Sequence, residues 1–279
     1  MSSQQRSLSL PMSRPRFWGY LFGPFLIGVA AAPQIDVSIR LVLLGLFFTF
    51  PANLLIYGFN DIFDYQTDKL NKKKRSYEKL LKPEQRKSLT NVLTVFGALG
   101  ILLVFPESVP MEAKWAMTAF YFFGLGYSVP PIRAKTKPIL DSYFNVLYVF
   151  PGLVSYGLLT GGFPPLQVFV AATMWCAAMH AYSAIPDIRA DQRAGLRTVA
   201  TTLGKQRTLL FCALHYTVAA SLSAPWLGWF SLVGAAVYLS MMYVSFQATT
   251  KEQFFRYYTY FPFINMFVGA ALFLWILWL

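Results

Sequence analysis

The sequence has little that could crosslink it. Its two cysteines, Cys176 and Cys212, both lie inside apolar runs, so they read as small packing residues and exclude a disulfide framework. Its two histidines, His180 and His215, have no Cys or His at metal-ligand spacing, which excludes a zinc site and reads as polar side chains packed between helices. Charge is scarce as well. Asp, Glu, Lys and Arg make up 13% of 279 residues, against 56% apolar residues and 18% aromatics, and the mean hydropathy is +0.46. A water-soluble fold would lack the polar surface to cover itself, so the solvent is lipid.

The net charge of +12, from 24 Lys and Arg against 12 Asp and Glu, raises nucleic-acid binding as a reading. That reading needs a basic face on a soluble domain. Here the basic residues fall between hydrophobic runs and report orientation instead. Residues 1–16 lack a signal peptide's order of basic region, short apolar core and cleavage site, and are read as a cytosolic tail.

A bilayer-spanning helix needs about 20 mostly apolar residues. Nine candidate spans follow, at about 17–32, 39–59, 89–105, 115–131, 139–160, 166–185, 208–223, 226–247 and 258–279. Pro24, Pro51, Pro130, Pro151 and Pro262 are expected to kink or end them. The fold class is thus all-α: a polytopic bundle of nine transmembrane helices, with residues 17–279 as one membrane domain.

Cytoplasmic loops collect Lys and Arg, which tests the count. With the N-terminus inside, the inner segments hold Arg6, Arg14 and Arg16, then nine basic residues between 69 and 87, then Arg133, Lys135 and Lys137. Arg189, Arg193, Arg197, Lys205, Arg207, Lys251 and Arg256 follow, making 22 of 24 inside and leaving Arg40 and Lys114 outside. A miscounted span would flip every later loop. The expectation is an integral protein of the cell membrane, with its N-terminus cytoplasmic and its C-terminus outside. The block Lys72, Lys73, Lys74 and Arg75 suits either anionic lipid headgroups or a solvated loop.

Five of the seven aspartates fall in two short segments at the cytoplasmic ends of spans. On a continuing helix Asn60, Asp61, Asp64 and Asp68 share one face, and Asp187 and Asp191 form an i, i+4 pair. Like charges stacked this way repel and are poorly hydrated near a membrane, so something positive must neutralise them. A network of salt bridges is one answer. Hard oxygen ligands without His or Cys suit Mg²⁺, which bridges carboxylates to substrate phosphates. Two such clusters facing each other across a bundle would hold two or three Mg²⁺ ions around a diphosphate. Residues 127–135, Tyr-Ser-Val-Pro-Pro-Ile-Arg-Ala-Lys, supply basic groups: Arg133 and Lys135 can grip diphosphate oxygens on a turn stiffened by the proline pair.

These residues resemble the UbiA superfamily of intramembrane prenyltransferases. Its Asn-Asp-x-x-Asp-x-x-x-Asp motif is matched by Asn60, Asp61, Asp64 and Asp68, and its Asp-x-x-x-Asp motif by Asp187 and Asp191. The opening Ser13-Arg14-Pro15-Arg16-Phe17-Trp18, Leu140-Asp141-Ser142 and Ala184-Ile185-Pro186-Asp187 are similar to the lycopene elongase branch, whereas the Tyr-Ser-x-Pro-Pro loop is shared with chlorophyll synthases. The resemblance implies an allylic diphosphate donor, Mg²⁺ and a lipophilic acceptor in the membrane. It implies Asn60, Asp61, Asp64, Asp187 and Asp191 as metal ligands and Arg133 and Lys135 on the diphosphate. Tyr127 is either a hydroxyl contact or an interfacial aromatic, and Asp68 either a ligand of the site or an anchor for its loop.

The implied reaction ionises dimethylallyl diphosphate and transfers the prenyl group to a linear carotenoid such as lycopene. Aromatic rings can shield and stabilise such a cation, and Phe63, Tyr65, Tyr148 and Tyr182 are candidates. Asp141 reads as a helix cap or as a proton acceptor. An aromatic or tetrapyrrole acceptor would use the same diphosphate machinery. A secondary transporter would instead need inverted repeats and mid-membrane charges, which the sequence does not display.

Overall fold

In the computed structural model the described residues are 10–65 and 81–279. Among them every regular element is helical and no strand occurs. Two compact units divide the chain, the first formed by residues 1–133 and 150–163 and the second by 134–149 and 164–279.

The first unit contains α1 (Gly19–Ala30), α2 (Ile39–Phe47), α3 (Phe50–Phe63), α4 (Arg86–Val104), α5 (Met111–Ser128) and, after an interval in the chain, a helix at Phe150–Thr160. Pro51 lies in the first turn of α3, where its missing N–H costs nothing, and so the expected span 39–59 is two helices in series. The helix Phe150–Thr160 packs against both α1 and α5. Its approach to α1 is set by glycines: a Cβ on Gly28 would overlap the Gly152 carbonyl oxygen, and one on Gly152 would lie 2.7 Å from the Pro24 carbonyl oxygen. Ser155 Oγ donates to the Phe25 carbonyl at 2.7 Å across the same seam. Small residues plus an interhelical hydrogen bond hold helices together where lipid removes the hydrophobic drive.

The second unit contains α6 (Leu140–Tyr143), then α8 (Leu166–Ala184), α9 (Ile188–Arg193), α10 (Val199–Leu227), α11 (Trp229–Gln247) and α12 (Lys251–Trp278), with α7 denoting the Phe150–Thr160 helix. Helix α8 packs on α10 and on α6, α10 on α11, and α11 on α12. The core is aromatic. Tyr182 packs on Phe261 with ring centroids 4.5 Å apart, and Tyr216 stacks on Tyr238 at 4.4 Å.

Seven helical stretches among the described residues are long and apolar enough to cross a bilayer: Ile39–Phe63, Pro83–Val104, Leu140–Thr160, Leu166–Arg193, Val199–Leu227, Trp229–Gln247 and Lys251–Trp278. Helix α1 spans only 12 residues, about 18 Å at 1.5 Å per residue, against a hydrocarbon core of about 30 Å. The largest departure from the sequence reading is α10. It starts at Val199 rather than near 208, because Thr198 caps it through Thr201 N–H and Gly204 bends it with a left-handed φ of 71°. The surface suits lipid, with Ile39, Leu102, Phe267 and Trp278 all exposed.

Candidate active site

Asn60 and Asp61 occupy the last turn of α3, and Asp64 is its C-cap, with its N–H bonded to the Asn60 carbonyl at 2.9 Å. The helix ends at Phe63, so the uninterrupted helix through Asp68 expected from the spacing does not form across Asp64. Asp68 itself lies outside the described residues. Asp61 and Asp64 are buried, at 3% and 8% exposure, next to the negative end of the helix dipole. That is an adverse place for two carboxylates. Each faces an arginine: Arg14 Nη2 donates to Asp61 Oδ1 at 3.3 Å and Arg133 Nη2 to Asp64 Oδ1 at 3.4 Å.

The local sequence explains how those arginines are presented. Arg14 has φ 51°, and Pro15 opens the one-turn helix Pro15–Phe17 behind it. Buried Ser13 bonds the Leu10 carbonyl and accepts from Trp18 Nε1, which fixes the turn and lays the Arg14 guanidinium 4.5 Å from the Tyr57 ring centroid. Arg133 also has a positive φ, 43°, with its N–H on the Val129 carbonyl. Asn60 Nδ2 donates to Ser128 Oγ at 3.2 Å, which commits the amide's donor end to α5 and keeps its carbonyl oxygen as the acceptor end. Tyr127, half-buried, lies one residue before Ser128.

The second motif lies in the second unit. Asp187 ends the 3₁₀ turn Ile185–Asp187 and Asp191 stands on α9; both are half-buried. Gly195, at φ 69°, closes the segment, with Leu196 N–H on the Asp191 carbonyl at 2.8 Å. Lys135, half-buried, belongs to the 3₁₀ turn Ala134–Thr136 of the same unit.

Asp141 does cap a helix, though a distant one. Fully buried in the first turn of α6, it accepts the Val199 N–H of α10 at 2.8 Å through Oδ2. Tyr182 is not a cavity aromatic. It is wholly buried, with its hydroxyl 2.8 Å from Ser245 Oγ. Phe63, Tyr65 and Tyr148 are half-buried. Sequence reasoning missed Arg14 and Ser128 as partners of the first motif, although Arg14 stood in a stretch already notable for its Ser-Arg-Pro-Arg order.

Among the described residues no group of three or more His, Cys, Asp and Glu stands together as a metal cage. Mg²⁺ does not need one, since it takes one or two carboxylates and completes its shell with water and substrate phosphates. Two buried carboxylates and an amide carbonyl, already facing cationic groups, fit that requirement by charge and by donor type.

The profile of the UbiA prenyltransferase family matches residues 21–266. A lycopene elongase/hydratase of Haloferax volcanii is 38% identical over 272 residues, which cover 96% of this chain and 87% of that protein. A lycopene elongase/hydratase of Corynebacterium glutamicum is 29% identical over 282 residues, covering 95% and 94%. Among solved structures, a UbiA homologue from Archaeoglobus fulgidus bound to DMAPP and Mg²⁺ aligns with a TM-score of 0.73 at 19% identity, over 95% of this chain and 98% of that one. With a match over that length, the chain belongs to the UbiA prenyltransferase family.

Proposed function

We propose that this chain transfers the five-carbon group of dimethylallyl diphosphate to lycopene or a related linear carotenoid within the cell membrane. The observation that carries the reaction class is the pair of buried carboxylates at the end of α3, each facing an arginine. The acceptor is supported by the names of the two relatives, both matched over most of their length.

In this reading Asn60, Asp61, Asp64, Asp187 and Asp191 hold Mg²⁺, with Asp64, Asp187 and Asp191 essential to turnover. Bound Mg²⁺ supplies charge neutralisation that makes the diphosphate a better leaving group. Arg133 and Lys135 contact the diphosphate oxygens and stabilise the charge that grows as the donor's C1–O bond breaks. Tyr127 adds a hydroxyl contact, and Asp68 is a substrate-binding residue. The acceptor's terminal double bond then attacks C1, away from water.

The same reading takes residues 17–279 as one catalytic domain after a tail at 1–16. It has nine crossings, with Gly19–Ala30 and Met111–Ser128 joining the seven longer stretches, and the N-terminus and the site cytoplasmic. The test incubates membranes containing the protein with labelled dimethylallyl diphosphate, Mg²⁺, and lycopene or an aromatic acid. The label is expected in longer carotenoids, and to be lost in folded Asp64→Ala and Asp187→Ala. Full transfer by those variants, or label entering only the aromatic acid, overturns the proposal.

A further inference from the structure

Helix α8 carries one histidine that the diphosphate site leaves unassigned. His180 stands on α8, which ends at Ala184, and Asp187 ends the 3₁₀ turn that follows, so His180 lies seven residues and about 10 Å back along the chain axis from Asp187. A five-carbon donor anchored by its diphosphate at the level of Asp187 places its reacting end, and the acceptor beyond it, at a comparable depth.

His180 Nε2 lies 4.0 Å from Asp141 Oδ2, and its side chain keeps 20% exposure while Asp141 keeps none. Asp141 is held in place independently. Its Oδ2 accepts the Val199 N–H, and its backbone carbonyl accepts from Asn145 Nδ2 at 2.7 Å. Its Oδ1 is buried with no hydrogen-bond partner, as is the hydroxyl of the next residue, Ser142. A carboxylate buried among membrane helices stabilises positive charge that arises beside it, and the His180 imidazole is 4.0 Å away. The chain's other histidine is committed elsewhere. His215 Nδ1 bonds the Phe211 carbonyl at 2.8 Å, so its Nε2 accepts from Tyr143 O–H, also at 2.8 Å.

We propose that His180 is the proton acceptor that ends the reaction by water addition, with Asp141 as its positioning residue. This rests on the transfer reaction proposed above and deepens it. The donor's C1–O bond breaks and its electron pair leaves with the diphosphate. The π pair of the acceptor's terminal double bond forms the new C–C bond, which leaves a tertiary cation. A water lone pair forms the C–O bond, the electrons of one O–H bond return to that oxygen, and the proton passes to the His180 imidazole. Asp141 Oδ2, 4.0 Å from His180 Nε2, stabilises the imidazolium by its charge. The buried oxygens of Asp141 and Ser142, on a helix packed against α8, are polar groups to which the attacking water can hydrogen-bond in the reacting complex. The product is an elongated carotenoid carrying a tertiary hydroxyl.

The experiment gives wild type, His180→Gln, Asp141→Asn and Asp141→Ala labelled dimethylallyl diphosphate, Mg²⁺ and lycopene. It measures diphosphate release, the hydroxylated fraction of the elongated product by mass, and the melting midpoint. Positioned general bases contribute about 10²–10⁴-fold, so His180→Gln is expected to lower the hydroxylated fraction at least about tenfold while releasing diphosphate normally. The dehydrated alkene takes its place. Asp141→Asn keeps an oxygen for the Val199 N–H and should melt like wild type, yet shift the products in the same direction. An unchanged product ratio in both His180→Gln and Asp141→Asn, with only Asp141→Ala unstable, reduces the pair to a structural cap and overturns the inference. Loss of diphosphate release in folded His180→Gln, or a wild-type product without hydroxyl, also overturns it while leaving prenyl transfer standing. A wild type that consumes no lycopene removes both.

Discussion

Substituting Arg14 with Gln removes a charge that makes, among its contacts, a 3.3 Å hydrogen bond to Asp61 and a cation–π contact 4.5 Å from the Tyr57 ring centroid. A hydrogen bond to a charged group contributes about 1.5–3 kcal/mol, and a cation–π contact about 0.5–2 kcal/mol. The separation is long for a hydrogen bond and Arg14 keeps 17% of its side-chain surface, which pulls the sum towards its lower end. Against that, Asp61 is 3% exposed and rehydrates poorly when Arg14 leaves, and breaking a buried ion pair costs up to about 3–5 kcal/mol. A loss of about 2–3 kcal/mol results, or about 5–10 °C in the apparent melting midpoint at roughly 2–4 °C per kcal/mol. Magnesium sharpens the test. In the wild type a cation arriving at Asp61 must displace Arg14, whereas in Arg14→Gln that competitor is gone. Ligand stabilisation grows as RT ln(1 + [L]/Kd), so the midpoint gained on adding Mg²⁺ should be larger for Arg14→Gln than for wild type. Arg14→Lys, which keeps the charge, should fall between them. Melting of the purified protein in detergent, followed by tryptophan fluorescence with and without Mg²⁺, reads both quantities. An unchanged midpoint without Mg²⁺, or equal gains with it, refutes the electrostatic account of the first motif.

Two further outcomes test packing and orientation. Gly28→Val drives side-chain atoms into Gly152 and Ser155, so it should sharply reduce the yield of folded protein, while Gly234→Ala, where a Cβ meets nothing within 4 Å, should melt like wild type; equal midpoints would show that the α1–α7 seam tolerates bulk. Asp36→Cys and Lys137→Cys place thiols on exposed residues while the native Cys176 and Cys212 are buried, at 3% and 0% exposure. In intact cells a membrane-impermeant maleimide should label only Asp36→Cys, and the reverse pattern would invert the orientation read from the Lys and Arg distribution.

What could be read in advance divides along a physical line. Apolar runs are legible because lipid demands about 20 residues of them and a soluble core does not. Helix ends outside the lipid obey local capping, and so Thr198 and Gly204 moved the start of α10 without leaving a hydropathy signal. The spacing of Asn60, Asp61 and Asp64 was legible because a helix turns it into one face. Their partners were not, since Arg14 reaches Asp61 across 47 residues and Arg133 reaches Asp64 across 69. Asp141 shows the same limit. Its residue type announced a cap, but the helix it caps begins 58 residues later.

The placement of the first motif bears on whether its acids serve stability. At the end of α3 they meet the negative pole of the helix dipole and little water, an arrangement adverse by about 0.3–1 kcal/mol per charge from the dipole alone. The two arginines that offset it both adopt left-handed backbone, at φ 51° and 43°, a conformation that costs a non-glycine residue about 1–3 kcal/mol. Well-packed apolar side chains in place of a buried ion pair are commonly neutral or more stable by about 1–4 kcal/mol. A network serving stability alone would therefore gain by losing these charges. Acids held at such expense, with the cations that neutralise them on strained and displaceable turns, suit a site whose proper counter-ions arrive with the substrate.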